Sequence, residues 1–371
     1  METKSRTVLI SGASMAGLST AFWLNKIGYK VTVVEIAPKL RTTGTAVDIK
    51  GNAINLIKQM GLLEAFEAHR LQVNRVEFKN DQDVTEAEIL LNGDNGSDHE
   101  DIEIERGKFI EILFNALANR VEFVFQQQIS DLKESGDQVS VKFNNGMCRN
   151  FDLVIGCDGM HSGVRKLWFG AENEYSHFLG AYFSVTIVDQ LLIENNTMQM
   201  FNVPGKSIML NAYNHKTDII FCFLSDNELH YNHRDVQQQR KIIDEYFKNE
   251  KWNTAELLKH LCAAENFYFD KFCQIKMPLW TKGKVALVGD AAYCASPAAG
   301  MGASLALEGA AAIALSLEKF SGNIEPAFQE YNSVLRPLIE EIQRIAEHNI
   351  KENFIPRTEE AIRRRNENPG F

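Results

Sequence analysis

A glycine-punctuated turn and a carboxylate about 20 residues beyond it are the first residues here whose types and spacing point to chemistry. The turn is Gly12-Ala13-Ser14-Met15-Ala16-Gly17, and the carboxylate is Glu35. Gly12 lets the backbone leave a strand tightly, and Gly17 lets the next segment pack close. If that segment is a helix, its first N–H groups are unpaired and its end is partly positive, which suits a pyrophosphate. Glu35 can then accept both hydroxyls of an adenosine ribose. The usual second glycine of such a turn is Ser14, a small replacement. An ordinary βαβ turn is the alternative for the turn alone, but strand, helix and terminal acid together read as a dinucleotide site.

The elements that must position these groups are legible. Thr7–Ser11 is a short apolar, β-branched strand; residues 18–27 form a helix ended by Gly28; Lys30–Glu35 is a second strand. Residues 52–68 repeat apolar side chains at helical spacing, and 73–78 read as a strand. Residues 81–100 are polar, with turn signals at Asn92-Gly93 and Asn95-Gly96, so a hairpin or mobile loop is expected. Arg106 opens a helix, and 152–156 form a buried strand ending at Cys157-Asp158-Gly159. From 182 to 223 the period changes to two, which predicts a mixed or antiparallel sheet without crossover helices. Helices over Val236–Phe247 and Thr254–Ala263 follow, then a strand at 266–277. The strand 284–289 delivers Asp290. A loop through Pro297, Gly300, Met301 and Gly302 leads to an Ala/Leu-rich helix over 303–317. A long amphipathic helix over 326–350 is expected to break at Pro337, and 353–371 to fray.

Composition excludes several classes. Of 371 residues, 45% are hydrophobic and 24% charged, as in a soluble globular protein. A net charge of −10 and a pI near 5.5 argue against nucleic acid as a partner. The run Arg363-Arg364-Arg365 reads as a solvated helix face. The six cysteines form no C-x-x-C pair and no metal-like spacing with histidine, so they read as reduced thiols in a cytoplasmic protein with no metal site. No signal peptide or membrane-spanning segment is expected.

Three separated stretches combine: Gly12-x-Ser14-x-x-Gly17 with Glu35, Asp158-Gly159-x-x-Ser162-x-Val164-Arg165, and Gly289-Asp290-Ala291-Ala292 through Pro297-x-x-Gly300-x-Gly302. Together they resemble the single-component flavin monooxygenases of the para-hydroxybenzoate hydroxylase type. Leu40-Arg41-x-x-Gly44-x-Ala46-x-Asp48 with Gly51, and Leu179-Gly180-Ala181-Tyr182, are similar to the tetracycline-inactivating members. The resemblance implies an α/β fold: a Rossmann-like FAD-binding domain at 1–73, 104–177 and 276–320, and an inserted mixed or antiparallel substrate sheet at 74–103 and 178–275. A C-terminal bracing helix and tail would take up 321–371.

The resemblance also implies roles. FAD would be held by Gly12 to Gly17, Glu35, Asp290, Pro297, Gly300, Met301 and Gly302, with Arg106 on the ribityl or isoalloxazine side. Asp158 would help bind flavin and nicotinamide, Asp48 would lie against the reacting edge of the flavin, and Arg41 is a further candidate. The alternatives are structural: Asp290 as a helix N-cap, Gly300–Gly302 as a plain loop, Arg106 as a surface residue, Asp158 as the organiser of its own turn. Tyr182, Met209, Phe221, Phe223, Phe267 and Phe269 are candidates for a substrate pocket, with the protein core as their alternative. The family's His, Gln, Asn and Asp become Tyr293, Met301, Ser304 and Glu308 here, and its Arg after the ribose-binding acid becomes Ile36.

The activity implied is NAD(P)H-dependent hydroxylation of an aromatic or polycyclic molecule by O2 through a flavin hydroperoxide, with no obligatory catalytic side chain. A tetracycline-like antibiotic is one such substrate. The alternatives are a non-hydroxylating flavoprotein and a flavin-containing protein that sequesters its ligand. A monomer or weak dimer is expected.

Overall fold

Short β-branched runs, buried on both faces, build the first sheet. In the computed structural model, which describes residues 6–91 and 101–367, Glu122–Phe125, Lys30–Glu35, Thr7–Ser11, Leu153–Gly156 and Val285–Leu287 lie side by side and parallel. Thr281–Lys282 adds an antiparallel edge. Val8, Leu9, Ile10, Val154 and Ile155 have no exposed surface, as parallel strands require. The helices Met15–Lys26 and Gly302–Lys319 pack on one another beside this sheet. A three-stranded sheet (Ile129–Ser135, Gln138–Phe143, Cys148–Phe151) and a two-stranded ribbon (Ala46–Ile49 with Ile102–Glu105) complete the layer set.

The chain divides into two compact units. The first is Met1–Arg70, Glu100–His177 and Cys273–Gln343; the second is Leu71–His99, Phe178–Phe272 and Arg344–Phe371. The C-terminal stretch is therefore not a unit of its own. Its helix Ile324–Asn349 runs through Pro337 without the expected break. Pro337 and Ser333, whose carbonyl loses its partner, both lie on the exposed side, where water can replace the bond.

The second unit is built on a seven-stranded sheet, in the order Phe267–Ile275, Ser176–Val188, Lys216–Leu224, Lys206–Tyr213, Thr197–Val203, Arg75–Lys79, Thr85–Leu90. All described pairings are antiparallel except that of Thr197–Val203 with Arg75–Lys79. The last two strands form a hairpin whose second strand falls within the predicted polar stretch; the Asn92-Gly93 and Asn95-Gly96 signals lie outside the described residues. Register decides which side chains share a face. Tyr182 faces Phe223 and Ser184 faces Phe221, and helices Val236–Phe247 and Thr254–Ala263 cover that face with Ile243, Phe247, Leu257, Leu258 and Leu261.

Two expectations for the C-terminus are corrected. Residues 353–367 do not fray: Glu359–Glu367 is a helix packed on strands Thr85–Leu90 and Thr197–Val203. Arg365 is not on a solvated face. It is buried, donates to Asn202 Oδ1 at 2.8 Å and to the Asn353 carbonyl at 3.1 Å, and lies over the Phe78 ring. Burial lowers its guanidinium to about 10. Among the described residues no helix is long and apolar enough to cross a membrane.

Candidate functional site

The site begins where the first strand ends, inside the first unit. Ser14 is the N-cap of helix Met15–Lys26: its Oγ accepts the Gly17 N–H at 3.1 Å and donates to the Cys157 carbonyl at 2.8 Å. The serine that departs from the usual glycine thus ties the first turn to the second. A Cβ on Gly12 would stand 2.6 Å from the Cys157 oxygen, and one on Gly17 1.9 Å from the Gly12 oxygen, so only glycine fits either place. Glu35 accepts the N–H of Ala13 and of Ala37, each at 2.9 Å, through different oxygens. A carboxylate offers about four lone-pair sites, which leaves acceptors for ribose hydroxyls.

At the second turn, Asp158 accepts from the Ser162 hydroxyl and, at 3.1 Å, from the Val164 N–H. Burial raises its carboxyl pKa, and these hydrogen bonds act against the rise. The bonds serve the alternative in which Asp158 orders its own turn. Arg165 has no exposed surface and donates to the carbonyls of Met160 and of Ala291, the latter at 2.8 Å. It fastens the second turn to the short helix Asp290–Tyr293.

From there the groups form a line. The position of a Cβ on Gly289 is 2.8 Å from the Ala16 methyl, so the start of the short helix Asp290–Tyr293, capped by Gly289, abuts the first helix. More than a third of Asp290's surface is accessible. Protein still crowds the carboxyl enough to raise its pKa, while the Arg106 guanidinium and the Cys294 thiol act against that. Arg106 lies across Gly44, its Cδ 2.8 Å from where a Cβ would be. Gly44 leads into the ribbon strand that bears Asp48. Asp48 Oδ2 is 3.0 Å from Lys50 Nζ, and both face Gly300. Pro297–Ala299 forms a single 3-10 turn, and Met301 precedes the helix Gly302–Lys319 with no side-chain cap. Arg41 is exposed on the connection before Gly44 and is not among the converging groups.

From the sequence Lys50 has no role, and Ser304 stands out only as a departure from the family pattern. Ser304 Oγ accepts the Lys50 N–H at 2.9 Å. The period of two along the ribbon places residue 50 on the face of residue 48, which was an available signal. Two departures from the family pattern also acquire contacts. Glu308 accepts from Asn52 at 3.1 Å, and the Tyr293 hydroxyl stands 3.3 Å from that of Tyr331, over the missing side chain of Gly309. Ile36 is exposed.

In the second unit, Tyr182, Phe221, Phe223 and Phe269 are buried in the sheet–helix core. Tyr182 stacks on Phe223 and Phe269 at centroid separations of 5.4 and 5.6 Å, and its hydroxyl accepts the Leu229 N–H. Phe267 packs at the edge of that core. Met209 pairs in register with Met200 and Ile220, on the other face of the sheet.

The first unit fits a flavin dinucleotide: two glycines that let the first turn close where a Cβ would strike backbone oxygens, an acid with spare acceptors, a second acid just beyond a strand, and an uncapped helix start. The sequence profile described as "FAD binding domain" matches residues 5–326. An uncharacterised protein of Mycobacterium tuberculosis is 37% identical, over 93% of this chain and 94% of its own. A flavin-dependent monooxygenase of Legionella longbeachae is 32% identical, over 96% and 92%. The crystal structure of tetracycline destructase Tet(51) superposes with a TM-score of 0.87 at 35% identity, covering 98% of this chain and 95% of that one.

Proposed function

Because the chain belongs to the flavin-dependent monooxygenases that carry an FAD binding domain, we propose that it hydroxylates an aromatic or polycyclic small molecule with O2 and NAD(P)H. The observation that carries the reading is the unbroken line of groups from Glu35 through Ser14, Asp290 and Arg106 to Asp48 and Gly300, all in one unit. Bound FAD supplies the oxygen chemistry, and the protein supplies orientation and charge. In this reading Glu35 accepts the ribose hydroxyls. The N–H groups at the start of Met15–Lys26 face the pyrophosphate, Asp290 accepts a ribityl hydroxyl, and Arg106 balances Asp290. The start of Gly302–Lys319 presents its positive end where negative charge gathers on reduction.

The likeness to Tet(51) supports tetracyclines as the first substrates to try. Of the candidate pocket residues, Met209 lies on the sheet face opposite the helix-covered Tyr182 face, and it is the first to probe for substrate contact by substitution. The test is a panel of tetracyclines, phenols and quinolones offered to FAD-loaded protein with NADH or NADPH. The expected result is reductant consumption that accelerates with one ligand class and a product heavier by one oxygen. Ligand binding with neither response would overturn the reading in favour of sequestration; a protein that takes up no FAD would overturn it altogether.

A further inference from the structure

A cation stands beside Gly300 that the roles above leave unused. Lys50 Nζ is 3.0 Å from Asp48 Oδ2, and the position of a Cβ on Gly300 lies 3.9 Å from that Nζ and 3.7 Å from that Oδ2. The Lys50 backbone is fixed to the first turn of Gly302–Lys319 through Ser304. Both side chains remain open, 39% and 36% exposed. A lysine beside a helix start is unfavourable on its own, because ammonium and helix end are both positive. Asp48 offsets part of this. The lysine and the helix end are the two positive sources at this open locus; Asp48, and Glu103 paired across the ribbon from it, are the acids, and the ammonium stays accessible to a further anion beside Gly300.

We propose that Lys50 is a cofactor-facing cation that stabilises negative charge on the reduced isoalloxazine, with Asp48 holding it in place and moderating its effect while the ring is oxidised. The inference rests on the FAD reading above and adds to it a residue that sets how readily the flavin accepts electrons. Lys50 and the start of Gly302–Lys319 act together. The helix contributes a fixed partial charge, and the lysine a full one that is partly screened because its side chain is open to solvent.

The test uses FAD-loaded protein and two equilibrium readouts. Sulfite donates its lone pair to the oxidised ring and leaves the ring anionic, so its affinity reports the charge environment directly. The second readout is the two-electron midpoint potential. An opposite charge a few ångströms away shifts such equilibria by about tenfold to a thousandfold, and exposure puts Lys50 at the low end. Lys50→Gln is expected to weaken sulfite binding about tenfold and to lower the potential by about 30 mV, the equivalent of tenfold for two electrons. Lys50→Arg retains most of both values. Asp48→Asn moves sulfite affinity the opposite way. Lys50→Met keeps the alkyl stem and serves as a second neutral variant should Lys50→Gln fold poorly. Unchanged sulfite affinity and potential in the neutral variants, or a change confined to FAD affinity and melting temperature, would overturn the proposal, since a mere prop for Asp48 gives that pattern. If wild type binds FAD and hydroxylates while these variants are silent, only Lys50's role falls. If wild type takes up no FAD, the functional reading falls with it.

Discussion

Gly309→Ala tests how the chain accommodates Tyr293 at the end of the short helix Asp290–Tyr293. Gly309 lies buried inside the helix Gly302–Lys319. A methyl there would fall 1.7 Å from the Tyr293 hydroxyl oxygen, 3.0 Å from its Cζ and 3.3 Å from Val288 Cγ1. Three effects compete. Alanine in a helix interior gains about 0.8–1 kcal/mol over glycine. Overpacking a filled site costs about 1–3 kcal/mol. Displacing the phenol also breaks the 3.3 Å contact with the Tyr331 hydroxyl, worth about 0.5–1.5 kcal/mol. Crowding wins, and the net destabilisation is about 0.5–3.7 kcal/mol. In a Tyr293→Phe background the oxygen is gone, no hydroxyl contact remains to lose, and the nearest ring carbon can give by a few tenths of an ångström. There Gly309→Ala should cost at least about 1 kcal/mol less. Urea unfolding of the four apoproteins completes the cycle. The reasoning is refuted if Gly309→Ala stabilises the wild type, or if its cost is the same in both backgrounds.

Ser14→Ala removes the cap on Gly17 and the donor to the Cys157 carbonyl; a loss of about 1–2 kcal/mol is expected by thermal or urea unfolding. Glu35→Ala leaves the N–H groups of Ala13 and Ala37 without their acceptor and should weaken FAD binding at least about tenfold by fluorescence titration, the equivalent of a single hydrogen bond to a charged group. Glu77 gives the pH dependence. Burial alone would raise its carboxyl, but hydrogen bonds from Lys79 and Gln199 and the charges of Lys79 and Arg75 outweigh it and lower the pKa. A lowered folded-state pKa contributes stability that is present above the ordinary glutamate value of 4.5 and is lost as pH falls through the folded value. Melting temperature against pH should therefore fall less steeply on the acid side in Glu77→Gln than in wild type.

What was legible in the sequence followed from short-range pattern. The βαβ opening, the acid at Glu35 and the switch to period two near 182 come from alternation, glycine placement and strand length, all local. What was not legible depends on partners far along the chain. Ser14 looked like a weakened glycine because its partner, Cys157, is remote. Lys50 drew no role from the sequence because Ser304 and Gly300 lie some 250 positions on. Arg365 looked solvated because its neighbours carry charge, yet Asn202 and Phe78 bury it. Tyr182 and Phe223 could not be assigned to a pocket or a core from alternation alone. Period two puts Phe221 and Phe223 on one face of their own strand, but only the register brings Tyr182 opposite Phe223, and only the helices at Val236–Phe247 and Thr254–Ala263 say which face is covered.

The two helices that open onto the site are finished differently, and the difference divides its labour. At Met15–Lys26 the Ser14 hydroxyl already satisfies the Gly17 N–H, so a pyrophosphate there competes with an internal acceptor and gains from the remaining N–H groups and the helix charge. Glu35 is likewise already engaged with two N–H groups, which holds its carboxylate in position before any ribose arrives. This end is preorganised, and preorganisation is expressed as affinity. At Gly302–Lys319 no side chain caps the first turn, and Asp48 and Lys50 stand open beside it. Charge left unsatisfied acts on whichever state of the ligand supplies the most compensating charge, so this end is expressed as a preference between oxidation states. The two properties should therefore separate. Glu35→Ala is expected to move FAD affinity and leave the midpoint potential nearly unchanged, while Lys50→Gln moves the potential and leaves oxidised-FAD affinity nearly unchanged. Measuring both quantities in both variants decides the matter, and a variant pair that moves the two in proportion would show that the site works as a single unit.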